Sequence, residues 1–88
     1  MKRKNNSILK EIAGKYMILP LSDHNIAIDV ILHTNEVGAF IYKNLENDIT
    51  KEELLNKLLA EYNVDKKTAL KDLEEFLASM KEKGLLND

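Results

Sequence analysis

The chain has 88 residues, 44% of them hydrophobic and 32% charged, with a formal net charge of −2. That is the composition of a globular chain with a single small core, burying roughly 60 to 65% of its extended-chain surface. No apolar run approaches the ~20 residues needed to span a bilayer, which argues against a membrane partner, and Lys10 and Glu11 interrupt what would be the apolar region of a signal peptide, so a cytoplasmic location is expected.

Cysteine is absent, which removes disulfides, thiolate nucleophiles and sulfur ligands for zinc. The single arginine and the acidic balance argue against a nucleic-acid partner, since binding by counterion release needs concentrated Lys and Arg.

Met1 to Asn6 is basic and polar and is expected to be disordered. Ser7 to Ala13 alternates as a first strand, with Ile8, Lys10 and Ile12 on one face and Leu9 and Glu11 on the other. Gly14-Lys15 reads as a tight turn into a second strand, Tyr16 to Leu21, whose near-continuous apolar run implies burial on both faces or one face awaiting a partner. Pro20 has no amide for the ladder and belongs at the end or edge of that strand. After the polar link Ser22 to Asn25, Ile26 to Leu32 is dense in β-branched residues and is expected to be a third antiparallel strand.

Three helices follow. Asn35 is placed to cap the first, about Glu36 to Leu45, with Glu36 favourable against its dipole and Val37, Phe40, Ile41 and Leu45 on one stripe. Gly38 in the first turn allows another backbone to come close. Thr50 and Glu53 form a capping box for the second helix, Ile49 and Leu54 its hydrophobic staple, and the helix stops near Asn63. Asp65 caps the third, with Val64 and Ala69 as a second staple. The apolar face of this helix centres on Ala69, Leu73, Phe76 and Met80 and is widened by Leu70 and Leu77. Gly84 is the stop, after which Leu85-Leu86 fold back on the core. The expected fold class is α+β, with a three-stranded antiparallel sheet followed by three helices (βββααα) in residues 1–88 as one domain.

Residues for chemistry are sparse. His24 and His33 have no set of carboxylates or nucleophile to serve a metal or general-base role, and each reads as a surface side chain. Glu52-Glu53 and Glu74-Glu75 are adjacent on helices and point in different directions, so neither pair is a working dyad. The three glycines are too widely spaced for a phosphate loop. No enzyme activity and no cofactor is expected. What stands out is a surplus of apolar residues on strands two and three, because three short helices cover only one side of a small sheet.

The runs Ala13-Gly14-Lys15-Tyr16-Met17-Ile18-Leu19-Pro20-Leu21, Thr34 to Tyr42, Thr50 to Leu54, Glu61 to Asp65, Leu73 to Leu77 and Gly84-Leu85-Leu86, in that order, resemble the PqqD-like proteins. These are precursor-peptide recognition elements of ribosomally made, post-translationally modified peptides. The Asn-Glu-x-Gly-Ala helix start is the most specific part. Tyr42 stands where members often carry Trp.

The resemblance implies a winged-helix-like fold that binds the leader segment of a precursor peptide and presents it to a modifying enzyme, commonly a radical SAM protein. It implies that the leader adds as a strand beside the third strand and packs against the third helix. Carried over, the docking edge is Ile26, Ile28, Val30 and Leu32, and the groove wall draws on Leu70, Leu73 and Leu77. Lys67, Lys71 and Lys81 are placed to meet acidic leader residues. Strand addition gives affinity through backbone hydrogen bonds and selectivity through alternate side chains. The other class compatible with this element order is a winged-helix DNA-binding transcriptional regulator, against which Asp72, Glu74 and Glu75 on the third helix argue by repelling phosphates. Monomer and dimer both remain open.

Overall fold

The computed structural model describes residues 1–21 and 31–87. Its elements are β1 (Lys2–Arg3), β2 (Ser7–Ile12), β3 (Lys15–Pro20), β4 (Leu32–Thr34), α1 (Glu36–Asn44), α2 (Lys51–Glu61), α3 (Lys66–Glu82) and β5 (Leu86–Asn87). The expected order of three antiparallel strands and then three helices is present as β2-β3-β4 followed by α1 to α3.

The hairpin between β2 and β3 pairs Ile12 with Lys15, leaving Ala13 and Gly14 as a two-residue loop. The turn therefore lies one residue earlier than Gly14-Lys15. Both loop residues take positive φ, 53° at Ala13 and 79° at Gly14, as in the turns whose twist matches that of the flanking strands. Gly14 carries this freely, and Ala13 accepts a conformation that L-residues seldom adopt. Pro20 closes β3 opposite Ser7, at the strand's end, where its missing amide costs nothing in the ladder.

β4 pairs with β3 through Tyr16↔Thr34, Met17↔His33 and Ile18↔Leu32. Of the expected strand Ile26 to Leu32, only the last two residues are described, and the strand continues through Thr34 up to the helix cap. Ile26, Ile28 and Val30, like His24, lie outside the described residues. Direct partners share a face in an antiparallel pair, so Leu9, Ile18 and Leu32 turn inward while Ile8, Lys10, Met17, Leu19 and His33 turn outward. Ile8 is 39% exposed and Ile12 57%, so this outer face presents apolar side chains to solvent.

The helices cover the inner face. Asn35 accepts a hydrogen bond from Gly38 N and starts α1, and Thr50 and Glu53 exchange the two bonds of a capping box at α2. Asp65 caps α3 by accepting from the Thr68 amide and hydroxyl. These bonds hold the Glu53 carboxyl below its usual range through the Thr50 backbone amide, and that of Asp65 below its range chiefly through the Thr68 hydroxyl. Ile49 and Leu54 are both buried, as a staple requires, but Val64 stays 42% exposed, so the second staple is not made. α3 ends in a Schellman motif: Leu85 N donates to Met80 O at 2.9 Å and Gly84 N to Lys81 O at 3.0 Å, with Gly84 at φ 71°. Leu85 and Leu86 then return to the core, which is built on Ile18, Ile41, Leu45, Leu54, Leu58, Leu73 and Met80.

The first residues are ordered into the fold and not frayed. β1 pairs with β5 as Lys2↔Asn87 and Arg3↔Leu86, a second, two-stranded sheet joining the two ends of the chain. The Met1 ammonium donates to Asp48 Oδ1 at 2.8 Å and to Ile49 O at 2.9 Å, and this contact holds the Asp48 carboxyl below its usual range. The Arg3 guanidinium lies 4.5 Å from the centre of the Tyr42 ring. Tyr42 OH and Ser7 Oγ share a buried 2.8 Å hydrogen bond, so the departure to Tyr at position 42 ties α1 to the start of β2. The missed ribbon has a plain cause: Met1 to Asn6 has no apolar period of its own, and its partners lie at the far end of the chain.

Candidate functional site

β4 is an edge strand, hydrogen-bonded to β3 on one side and to no other strand among the described residues. Such an edge carries a row of backbone donors and acceptors ready to pair with another extended chain. Beside it runs α3, and between the two lies a cleft of about 160 Å³ closed at one end by the start of α1. Leu32, Val37, Ile41 and Phe76 give it an apolar lining, and His33, Thr34 and Asn35 line its strand side. From α3 come Asp72, Glu75 and Ser79.

Gly38 sets the width of this cleft. A Cβ at that position would collide with the Thr34 hydroxyl and sit 3.1 Å from Phe76 Cδ1, so only glycine lets α1, β4 and α3 converge there. The backbone approach expected at Gly38 is thus made at the site itself.

The expected site residues fare differently. Leu32 lines the cleft. Leu73 does not: it is fully buried in the core and forms no part of an accessible wall. Leu70 is half-buried and lines a separate depression of about 400 Å³ with Lys67, Lys71, Glu74 and Glu75. Leu77 packs against the core and lines neither hollow, and Lys81 lies exposed on the last turn, away from the cleft lining.

Helical phase explains the displacement. Each residue advances about 100°, so Asp72, Phe76 and Ser79 at i, i+4 and i+7 share one stripe, while Leu70 and Leu77 lie roughly two fifths of a turn away. The wide apolar face of α3 was visible in the sequence, but not which of its flanks meets β4. Phe76 belongs to the core, as expected, and also borders the cleft, so the stripe 72, 76, 79 does not stand apart from the core face in the sequence pattern.

A third, larger hollow of about 630 Å³ adjoins the opposite sheet edge, lined by Arg3, Asn5, Ser7, Ile8, Leu9 and residues of α1. Its floor includes the Ser7 and Tyr42 pair, whose polar atoms are already satisfied. Among the described residues no group of three or more His, Asp or Glu is placed to hold a metal ion. No helix among them is long and apolar enough to cross a membrane.

Comparison with known proteins gives a consistent picture. The family model described as coenzyme PQQ synthesis protein D (PqqD) matches residues 15–86. Two solved structures share the fold over 99% of this chain. One, TbiB1 in complex with the TbiA(beta) leader peptide, is 29% identical with a TM-score of 0.73, and the match covers 95% of that chain. The other, a lasso peptide synthetase B1 complexed with the leader peptide, is 17% identical with a TM-score of 0.70, covering 96% of that chain. No curated protein matches the sequence significantly.

Proposed function

This chain belongs to the PqqD family, and from that premise we propose that it binds the leader segment of a ribosomally made precursor peptide and presents it to a modifying enzyme, with no catalytic step of its own. The leader lies as an added strand along β4, with alternate side chains directed into the cleft against Phe76 and Val37. The carrying observation is the unpaired β4 edge flanked by that cleft, in a chain similar to one solved with a leader peptide. Main-chain pairing supplies affinity and the cleft supplies selectivity. Ordering a flexible leader costs about 2 to 5 kcal/mol, which the apolar floor must offset.

By the same resemblance the enzyme served is of the radical SAM class, and the broken apolar stretch at Lys10 and Glu11 favours a cytoplasmic setting. The test is hydrogen exchange on the protein with and without a leader peptide taken from a short precursor gene sought next to its own. Slowed exchange confined to residues 31–34 and the facing turns of α3 supports the reading, and unchanged exchange there at saturating peptide rejects it.

The DNA-binding alternative is disfavoured by the same helix. Asp72, Glu74 and Glu75 are all exposed on α3, where a recognition helix would meet phosphates.

A further inference from the structure

The charge of the cleft is the reverse of what the lysines of α3 suggest from sequence. Lys67 and Lys71 line the neighbouring depression, which Glu75 borders as well, whereas the α3 side of the cleft itself carries Asp72 and Glu75, both exposed and one turn apart, and no lysine. Residues three apart on a helix are surface neighbours, so both carboxylates overhang the same stretch of β4. Neither takes part in an ion pair among the described residues, while Glu74, next to them in sequence, turns to Lys51 of α2 at 3.4 Å. The Ser79 hydroxyl, also in the lining, donates to the Glu75 carbonyl and not to a carboxylate. Among the described residues, His33 is the only other titratable residue bordering the cleft, and its side chain turns to the outer face of the sheet.

Below the carboxylates, Val37 and the edge of the largely buried Phe76 ring add a small apolar patch to a lining that is mostly polar. A small apolar patch beside two carboxylates in a polar cleft suits a side chain with an aliphatic stem and a cationic head. An extended chain on β4 would direct every second side chain into this space. We propose, resting on the β4 reading above, that the bound segment carries a lysine or arginine at the position facing α3, its stem on Phe76 and its charge between Asp72 and Glu75. The leader class is therefore one with a basic residue at a fixed register, and an acidic residue there is excluded by like charge.

The experiment is selection of a phage-displayed random 12-residue peptide library on the wild-type protein, on Asp72→Asn/Glu75→Gln and on Asp72→Lys/Glu75→Lys, with circular dichroism of each form. Wild type is expected to recover apolar, strand-forming peptides with Lys or Arg at one fixed position, and the neutral variant the same kind of peptide without that preference. The reversed variant is expected to favour Asp or Glu at that position.

By fluorescence anisotropy, a selected peptide should bind the neutral variant about five- to tenfold more weakly than wild type, the scale of one or two exposed ion pairs. Replacing its basic residue by alanine should cost as much on wild type and nothing more on the variant. Wild-type peptides with no basic position, or a basic preference surviving in the neutral variant, overturn the charge assignment and leave strand addition standing. Folded protein that recovers no peptide in any form overturns both.

Discussion

Gly38 lies so close to Thr34 that a single methyl group on its Cα would run into the threonine hydroxyl. Because the same methyl would also press on Phe76, this contact joins the strand edge, the first helix and the third at one point. Gly38→Ala should therefore cost about 1 to 3 kcal/mol, the usual penalty of overpacking. Chemical denaturation of Gly38→Ala, Thr34→Ala and the double variant measures this, and Thr34→Ala should return part of the loss by removing the hydroxyl. Simple additivity would show that the contact is not what confines position 38.

Phe76 and Leu77 are adjacent on α3, but only Phe76 faces β4. Phe76→Leu is expected to weaken peptide binding severalfold while the protein stays folded. Leu77→Ala is expected to lower stability by about 1 to 3 kcal/mol, less than a fully buried leucine would, and to leave affinity unchanged. Binding isotherms at matched folded fraction decide this, and the reverse ranking would move the groove to the other flank of the helix.

The Tyr42 and Ser7 hydroxyls satisfy each other in the interior. Tyr42→Phe strands the Ser7 hydroxyl and should cost about 1 to 2 kcal/mol, whereas adding Ser7→Ala should recover some of that by removing the orphaned group. Urea midpoints of the two single variants and the double one give the comparison.

Acid should loosen the fold in a defined window. Asp48, Glu53 and Asp65 all have carboxyls held below their ordinary values, by the Met1 ammonium, the Thr50 amide and the Thr68 hydroxyl respectively. A carboxyl depressed in the folded state contributes stability that is present above its unfolded pKa and lost as pH falls through the folded one. Urea midpoints should thus hold from pH 7 to about 5 and decline below about pH 4. Asp65→Asn keeps a competent cap but cannot titrate, so it should match wild type near neutrality and lose less stability in acid.

How far the sequence disclosed all this depends on the range of each signal. The caps at Asn35, Thr50 and Asp65 and the stop at Gly84 were legible because each rests on residues within a few positions of one another. The β1 and β5 ribbon was not, because it joins the ends of the chain through backbone pairing that Lys2, Arg3 and Asn87 do not announce. Between these extremes lies α3. Its apolar face was plain from Leu70, Leu73, Phe76, Leu77 and Met80, but choosing the flank that meets β4 needs the crossing of helix and sheet. That crossing depends on Gly38 admitting Thr34. Leu32 of the expected edge lies on β4, while Leu70, Leu73 and Leu77 lie outside the cleft lining, to which α3 contributes Asp72, Glu75, Phe76 and Ser79.

Alternation along the sheet has one more result. A peptide zipped onto β4 would hide half its side chains beneath α3 and turn the other half outward, level with Met17 and Leu19 and the bare isoleucines of β2. Guest and host would then share one outer face, apolar except where Lys10 and His33 cross it. A second protein touching that face would sense cargo and carrier together, and an empty carrier would offer it an incomplete one.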